Sequence, residues 1–157
     1  MIREFPQNID YVFHLSGLYG ESGQYDKCIK VLHQIIKKDS LNTYALGNLS
    51  YYSNEAKDYN ASVKYATKAL TLVTDSTQIA MSLNNLGYAQ AKTISLDKGI
   101  QTIKQSIGYY PENAFAYYNL ALIYLEKKDI DTACLNFKKS KELGGNNLTA
   151  GYINYCK

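Results

Sequence analysis

Four leucines set the frame of this chain. Leu15, Leu49, Leu86 and Leu120 each sit second in a stretch that aligns with the other three without a gap. The stretches are HLSGLYGESGQYDKC (14–28), NLSYYSNEAKDYNAS (48–62), NLGYAQAKTISLDKG (85–99) and NLALIYLEKKDIDTA (119–133). The leucines are 34, 37 and 34 residues apart, and one three-residue insertion near DSTQ (75–78) accounts for the longer step. A period of that length means one supersecondary unit copied along the chain, each copy burying its apolar face against the next. The units fill 9–42, 43–76, 80–113 and 114–147.

Fixed offsets give each unit its physical content. One residue after the leucine comes a small side chain, Ser16, Ser50, Gly87 or Ala121, and thirteen after it another, Cys28, Ser62, Gly99 or Ala133. Ten residues after it sits a bulky one, Tyr25, Tyr59, Leu96 or Ile130. Apolar residues recur at helical spacing on both sides of short polar breaks, ESGQ, AKD, TIS and KKD, so each unit reads as two antiparallel helices. Asp58, Ser95 and Asp129 stand where second helices begin and suit N-caps. The small pair marks where the two helices cross closely, so Ala133→Leu would cost on the order of 1–3 kcal/mol by overpacking.

The period, the small–large–small spacing, Tyr19 and Tyr124 four residues after their leucines, and Pro111 closing a unit resemble the tetratricopeptide repeat (TPR). AFAYYNLALIYLEKKDIDTACLNFKKSKELG is the strongest match. The resemblance implies an all-α fold, a right-handed α-solenoid of antiparallel helix hairpins, with four TPR units and a C-terminal capping helix over 148–157. Ser53, Ala66 and Gln90 depart from the family's larger residues and are expected to soften the packing of their units. The first unit's outer face has no obvious cover, which leaves room for a partner, upstream sequence or self-association.

The C-terminal segment ACLNFKKSKELGGNNLTAGYINYCK resembles the ends of many Bacteroidetes repeat proteins, often envelope-associated, and a bacterial source fits. With the cap helix beside the last repeat helix, that resemblance implies a disulfide between Cys134 and Cys156, in an oxidising compartment. Cys28 falls on a small-residue crossing site and reads as a buried, inert thiol. If Met1 is the natural start, the opening MIREFPQNID, which has no apolar stretch, points to the cytoplasm. If the chain is a trimmed piece, a periplasmic or envelope location stays open.

Little in the chain suggests chemistry. His14 and His33 have no acid or nucleophile at useful helical spacing, and no phosphate-cradling glycine loop or paired-cysteine metal spacing occurs. No catalytic residue, cofactor or metal is expected. No apolar run approaches the roughly 18 residues that span a bilayer. A net charge of +3, with lysines paired at helix ends, lacks the long basic stripe of a nucleic-acid surface.

Function is therefore expected on the groove that first helices line in this family. The resemblance places Asp10, Phe13, His14, Tyr44, Asn48, Tyr51, Glu55, Met81, Asn84, Asn85, Tyr88, Phe115, Tyr118, Asn119 and Leu122 there. Asn48, Asn85 and Asn119 share one repeat position and are similar to the asparagine ladders of some TPR superhelices. Their amides could pair with the backbone of an extended peptide or could simply be common at that place. Tyr44, Tyr51, Tyr88 and Tyr118 are expected to be exposed beside them, as rigid, amphipathic contact rings or as packing. The basic places of the co-chaperone carboxylate clamp hold Phe13, Met81 and Asn85, so that ligand is not implied. The expected function is a non-catalytic module binding a peptide or partner protein. An inhibitor or immunity-type protein and a helical-repeat nucleic-acid binder stand as alternatives.

Overall fold

Short polar side chains start nearly every helix. The computed structural model describes residues 9–145 and Cys156, and among these it contains eight α-helices and no strand. They are α1 (Ile9–Glu21), α2 (Tyr25–Lys38), α3 (Thr43–Glu55), α4 (Tyr59–Leu70), α5 (Ser76–Thr93), α6 (Leu96–Tyr109), α7 (Ala114–Glu126) and α8 (Ile130–Glu142). Asp58, Ser95 and Asp129 accept from the backbone N–H three residues on, at 3.0, 3.1 and 3.1 Å, and so cap α4, α6 and α8. Asn42, Asp75 and Asn113 do the same for α3, α5 and α7. Each such cap contributes about 1 kcal/mol by satisfying an orphan donor. Only α2, which follows Gln24, lacks a side-chain cap among the seven helices with a described cap residue.

The three-residue insertion is spent on helix rather than loop. Asp75 moves the start of α5 back to Ser76, which makes α5, at 18 residues, the longest helix described. The tight turns inside the hairpins rely on a left-handed residue, Gly23, Lys57 or Lys128, at one repeat position (φ 70°, 63° and 64°). Ile94 holds that position in the third unit and stays right-handed at φ −119°, as a β-branched residue must to avoid strain.

The small pairs lie where the helices of each hairpin cross. Ser16, Cys28, Ser50, Ser62, Ala121 and Ala133 are all buried. Ser50 Oγ lies 3.0 Å from Ser62 Oγ and also donates to the Ser62 carbonyl. At Gly99 a Cβ would come within 2.7 Å of the Gly87 carbonyl oxygen. Consecutive helices pack in series, and first helices also touch across units, α3 on α5 and α5 on α7. The result is a helical-repeat solenoid with its core in three segments. Val31, Leu32, Ile35 and Leu49 anchor the first, Ile103, Leu120 and Ile123 the second, and Ala121, Ala133 and Phe137 the third.

These contacts explain α7, which is apolar nearly all round. Ala116, Leu120, Ala121 and Ile123 are buried while Tyr117, Tyr118, Leu122, Tyr124 and Leu125 are half-buried, because α5, α6 and α8 all pack against it. The expected softening at Gln90 takes a different form, since its amide oxygen accepts from Thr102 of α6 at 2.6 Å. Ser53 and Ala66 are fully buried, and Ser53 Oγ has no hydrogen-bond partner among the described residues. The sulfurs of Cys134 and Cys156 are bonded, with Cα atoms 5.4 Å apart, and Cys156 packs beside the third core segment. The rest of the expected cap helix, 148–157, lies outside the described residues.

Candidate binding surface

The first helices share one face, and the repeat sets a ladder of amides on it. Asn48 is half-buried on α3, and its amide has no hydrogen-bond partner among the described residues. Asn85 on α5 is only 8% exposed, and its Nδ2 donates to the Gly47 carbonyl of α3 at 3.4 Å. Asn119 on α7 is half-buried, and its Nδ2 donates to Asn84 Oδ1 of α5 at 3.0 Å. Asn54 of α3 donates to the Asn85 carbonyl at 3.0 Å. The equivalence of the three amides is thus corrected. Two of them tie neighbouring units together, because at this repeat position the adjacent helix offers a polar group within reach, and only Asn48 is left uncommitted.

The expected exposure of the tyrosines is corrected in the same way. Tyr44 is exposed, but Tyr51, Tyr88 and Tyr118 are half-buried. Tyr118 packs on Phe137 of α8 with ring centroids 6.0 Å apart, and Tyr88 on Tyr59 of α4 at 6.3 Å. Tyr51 lies between Tyr52, at 5.0 Å, and Phe115 of α7, at 6.5 Å. Burial first, then the Glu55 charge, pushes the Tyr51 phenol up to about 12. Phe13 packs against the first core segment, whereas His14 is exposed.

What reaches solvent is an apolar row that the sequence reading does not single out. Tyr44, Met81 and Phe115 stand five residues before Leu49, Leu86 and Leu120, on α3, α5 and α7, and are 68%, 54% and 47% exposed. Large apolar side chains left exposed in register on successive helices form a patch rather than scattered exceptions. The signal is present as a column of the repeat, one turn ahead of the asparagines.

The turn side of the array holds a second feature. A cleft of about 440 Å³ is lined by Gly23–Lys27 and by Glu55, Ala56 and Lys57. Tyr25 Oη donates to Glu55 Oε2 at 3.5 Å. Burial raises the Glu55 carboxyl above its ordinary value, and the Tyr25 hydrogen bond only partly opposes it. No group of three His, Cys, Asp or Glu that could hold a metal ion occurs among the described residues, and no described helix is long and apolar enough to cross a membrane.

Residues 102–134, from within α6 to within α8, match the family model of the tetratricopeptide repeat. The match covers 33 of the chain's 157 residues, and the fold around it is a helical-repeat solenoid. A comparison with curated proteins gives no match. Among solved structures it is similar to TTC0263, a thermophilic TPR protein of Thermus thermophilus, with 14% identity over 93% of this chain and 80% of that one, at a TM-score of 0.78. It is also similar to MamA (41-end) from Desulfovibrio magneticus RS-1, with 19% identity over 88% and 77% of the two chains and a TM-score of 0.66. A chain of the APC/C hetero-tetramer Cut9–Hcn1 shares 20% identity over 95% of this chain and 30% of its own length, at a TM-score of 0.73. At these identities the likeness is one of fold.

Proposed function

We propose that this helical-repeat solenoid is a non-catalytic interaction module that receives an extended segment or a helix of a partner protein along the face of its first helices. The register of Tyr44, Met81 and Phe115 carries the reading. Three exposed apolar anchors, with Asn48 and the edge of Tyr51 between them, offer contact area flanked by one uncommitted amide, the composition favoured at binding hot spots. TPR folds in general serve protein–protein interaction, which agrees with the absence of a catalytic constellation in the sequence. Lys92 and Lys127 are engaged with Glu126 and Asp97, and that favours a protein over a nucleic acid as the partner.

The test is capture of a binding protein from the native host, with affinity then measured on the purified pair. Tyr44→Ser with Met81→Ser is expected to weaken binding at least tenfold, since each anchor is of hot-spot type. Stability should change by no more than about 0.5 kcal/mol, because both side chains are exposed. Asn48→Ala should cost about 1 kcal/mol of binding. Ile94→Ser with Leu135→Ser, two exposed apolar residues outside the row, should leave affinity unchanged. The reverse pattern would move the binding surface off this face.

A further inference from the structure

Building on the role given above to the first-helix face, we propose that the segment it receives is an uncharged stretch of polypeptide, with acidic and basic side chains alike excluded from the contact. Four repeat positions carry the face, five, two and one before the framing leucine and two after it. In the second, third and fourth units none of them holds Asp, Glu, Lys or Arg. Contacts between helices join these positions into one surface, Asn85 to Gly47, Asn119 to Asn84 and Tyr51 to Phe115. Charge returns only six residues after the leucine, at the turn end of each helix, with Glu55, Lys92 and Glu126. Glu55 stands 11 residues after Tyr44 on α3, about 16 Å along its axis, and Lys92 and Glu126 neutralise each other. Only the first unit brings a carboxylate or an imidazole to the four positions, as Asp10 and His14.

The polar groups of the face show why a charge would be costly there. Asn84 and Asn85 are almost fully buried, and their amides are spent on the junctions between units. Asn48 alone keeps its amide, which can serve a main-chain group or a neutral side chain. It cannot replace the water shell that a carboxylate or an ammonium loses on contact, and a charge buried without a partner costs more than its packing returns. The rings do not compensate for that loss, because an exposed ring holds a cation only weakly. The chain's own lysines over rings, at Tyr19, Tyr65 and Tyr88, avoid Tyr44 and Phe115. An aliphatic or aromatic side chain meets no such penalty against Tyr44, Met81 and Phe115.

The probe is a phage-displayed library of random peptides of about 12 residues, long enough to cross α3, α5 and α7 at a helix spacing of about 10 Å. Peptides enriched on the folded chain are then synthesised and titrated by calorimetry. Each is expected to hold an uncharged run with aromatic or aliphatic residues, and to bind Tyr44→Ser with Met81→Ser at least about tenfold more weakly. Both side chains are exposed, so that variant should keep the parent's melting point, and lost binding is then not lost structure. Replacing the central apolar residue of the run by Lys or by Glu should weaken binding by about tenfold in either case. Raising salt from about 50 to about 500 mM should leave affinity within about twofold, since no ion pair forms. Peptides that lose affinity for the double variant yet need a charged residue within the run, or weaken steeply with salt, would overturn this inference and leave the role of the face standing. Peptides that bind the double variant as well as the parent, or a library with no enrichment, would overturn both. Light scattering that finds a dimer of this chain, dissolved by the same two substitutions, would give the face to a second copy and overturn the inference as well.

Discussion

Gly99→Ala is expected to destabilise the chain by about 2 kcal/mol net, although the same exchange in an unhindered helix raises stability by about 1 kcal/mol. A Cβ at that position would lie 2.4 Å from Ala91 Cβ, 2.7 Å from the Gly87 carbonyl oxygen and 2.9 Å from Ala91 Cα. Two of those neighbours are backbone and the third is a methyl fixed to it, so none can swing aside. The only relief is for α5 and α6 to separate, which strips contacts from Ile100 and Ile103 beneath them. Gly108→Ala, on the same helix, meets nothing within 4 Å and is expected to gain up to about 1 kcal/mol. Urea unfolding of the two variants decides the matter, and each kcal/mol should move the melting point by about 2–4 °C in a chain of this size. Because α5 and α6 sit mid-array, the Gly99 variant should also broaden the transition, as coupling between the outer units weakens. If both glycines tolerate alanine alike, the two helices do not cross as closely as described.

Breaking the bond between Cys134 and Cys156 is expected to cost about 3 kcal/mol, the loop-closure value for a sequence separation of 22 residues. Among the described residues, what then remains for Cys156 is its packing against the core segment of Ala121, Ala133 and Phe137. The comparison is between oxidised and dithiothreitol-reduced chain, with Cys134→Ser in parallel so that reductant effects elsewhere are separated. Cys28 does not confuse the readout. It is fully buried, and burial pushes its thiol up to about 12 despite the opposing Tyr52 hydrogen bond, so it neither ionises nor reaches reagent in the folded state. Alkylation of native material followed by mass spectrometry should leave all three cysteines unmodified without reductant and label Cys134 and Cys156 after it. Two labelled thiols in unreduced native material would remove the link.

The residues legible in the sequence are those whose job is set within one hairpin. The leucine frame, the small pairs and the caps at Asp58, Ser95 and Asp129 each follow from one helix facing its own partner, and periodicity reports that directly. Junctions between units are harder to read. Asn85 and Asn119 read as a ladder aimed outward because repeat position says which face a residue is on, not which neighbour comes within hydrogen-bond reach of it. The offset between stacked units decides that, and the sequence does not print it. Tyr118 is covered by Phe137 of its own unit, a contact between the two helices that the shared repeat position of the tyrosines does not reveal. The caps at Asn42, Asp75 and Asn113 are readable, each being an Asn or Asp just ahead of a helical run, and the exposed row at Tyr44, Met81 and Phe115 is readable as a column.

Among the described residues, α1 is held more thinly than the other helices. Helix α1 buries only Val12 and Ser16, and α2 begins without a side-chain cap, whereas ion pairs from Lys92 and Lys127 fasten the last two units across their junction. A stack bound neighbour to neighbour opens from its loosest end. Amide protons of α1 should therefore trade with solvent well before those of α5 and α6, and the cleft beside Glu55, which borrows one wall from α2, would loosen early in that sequence of events.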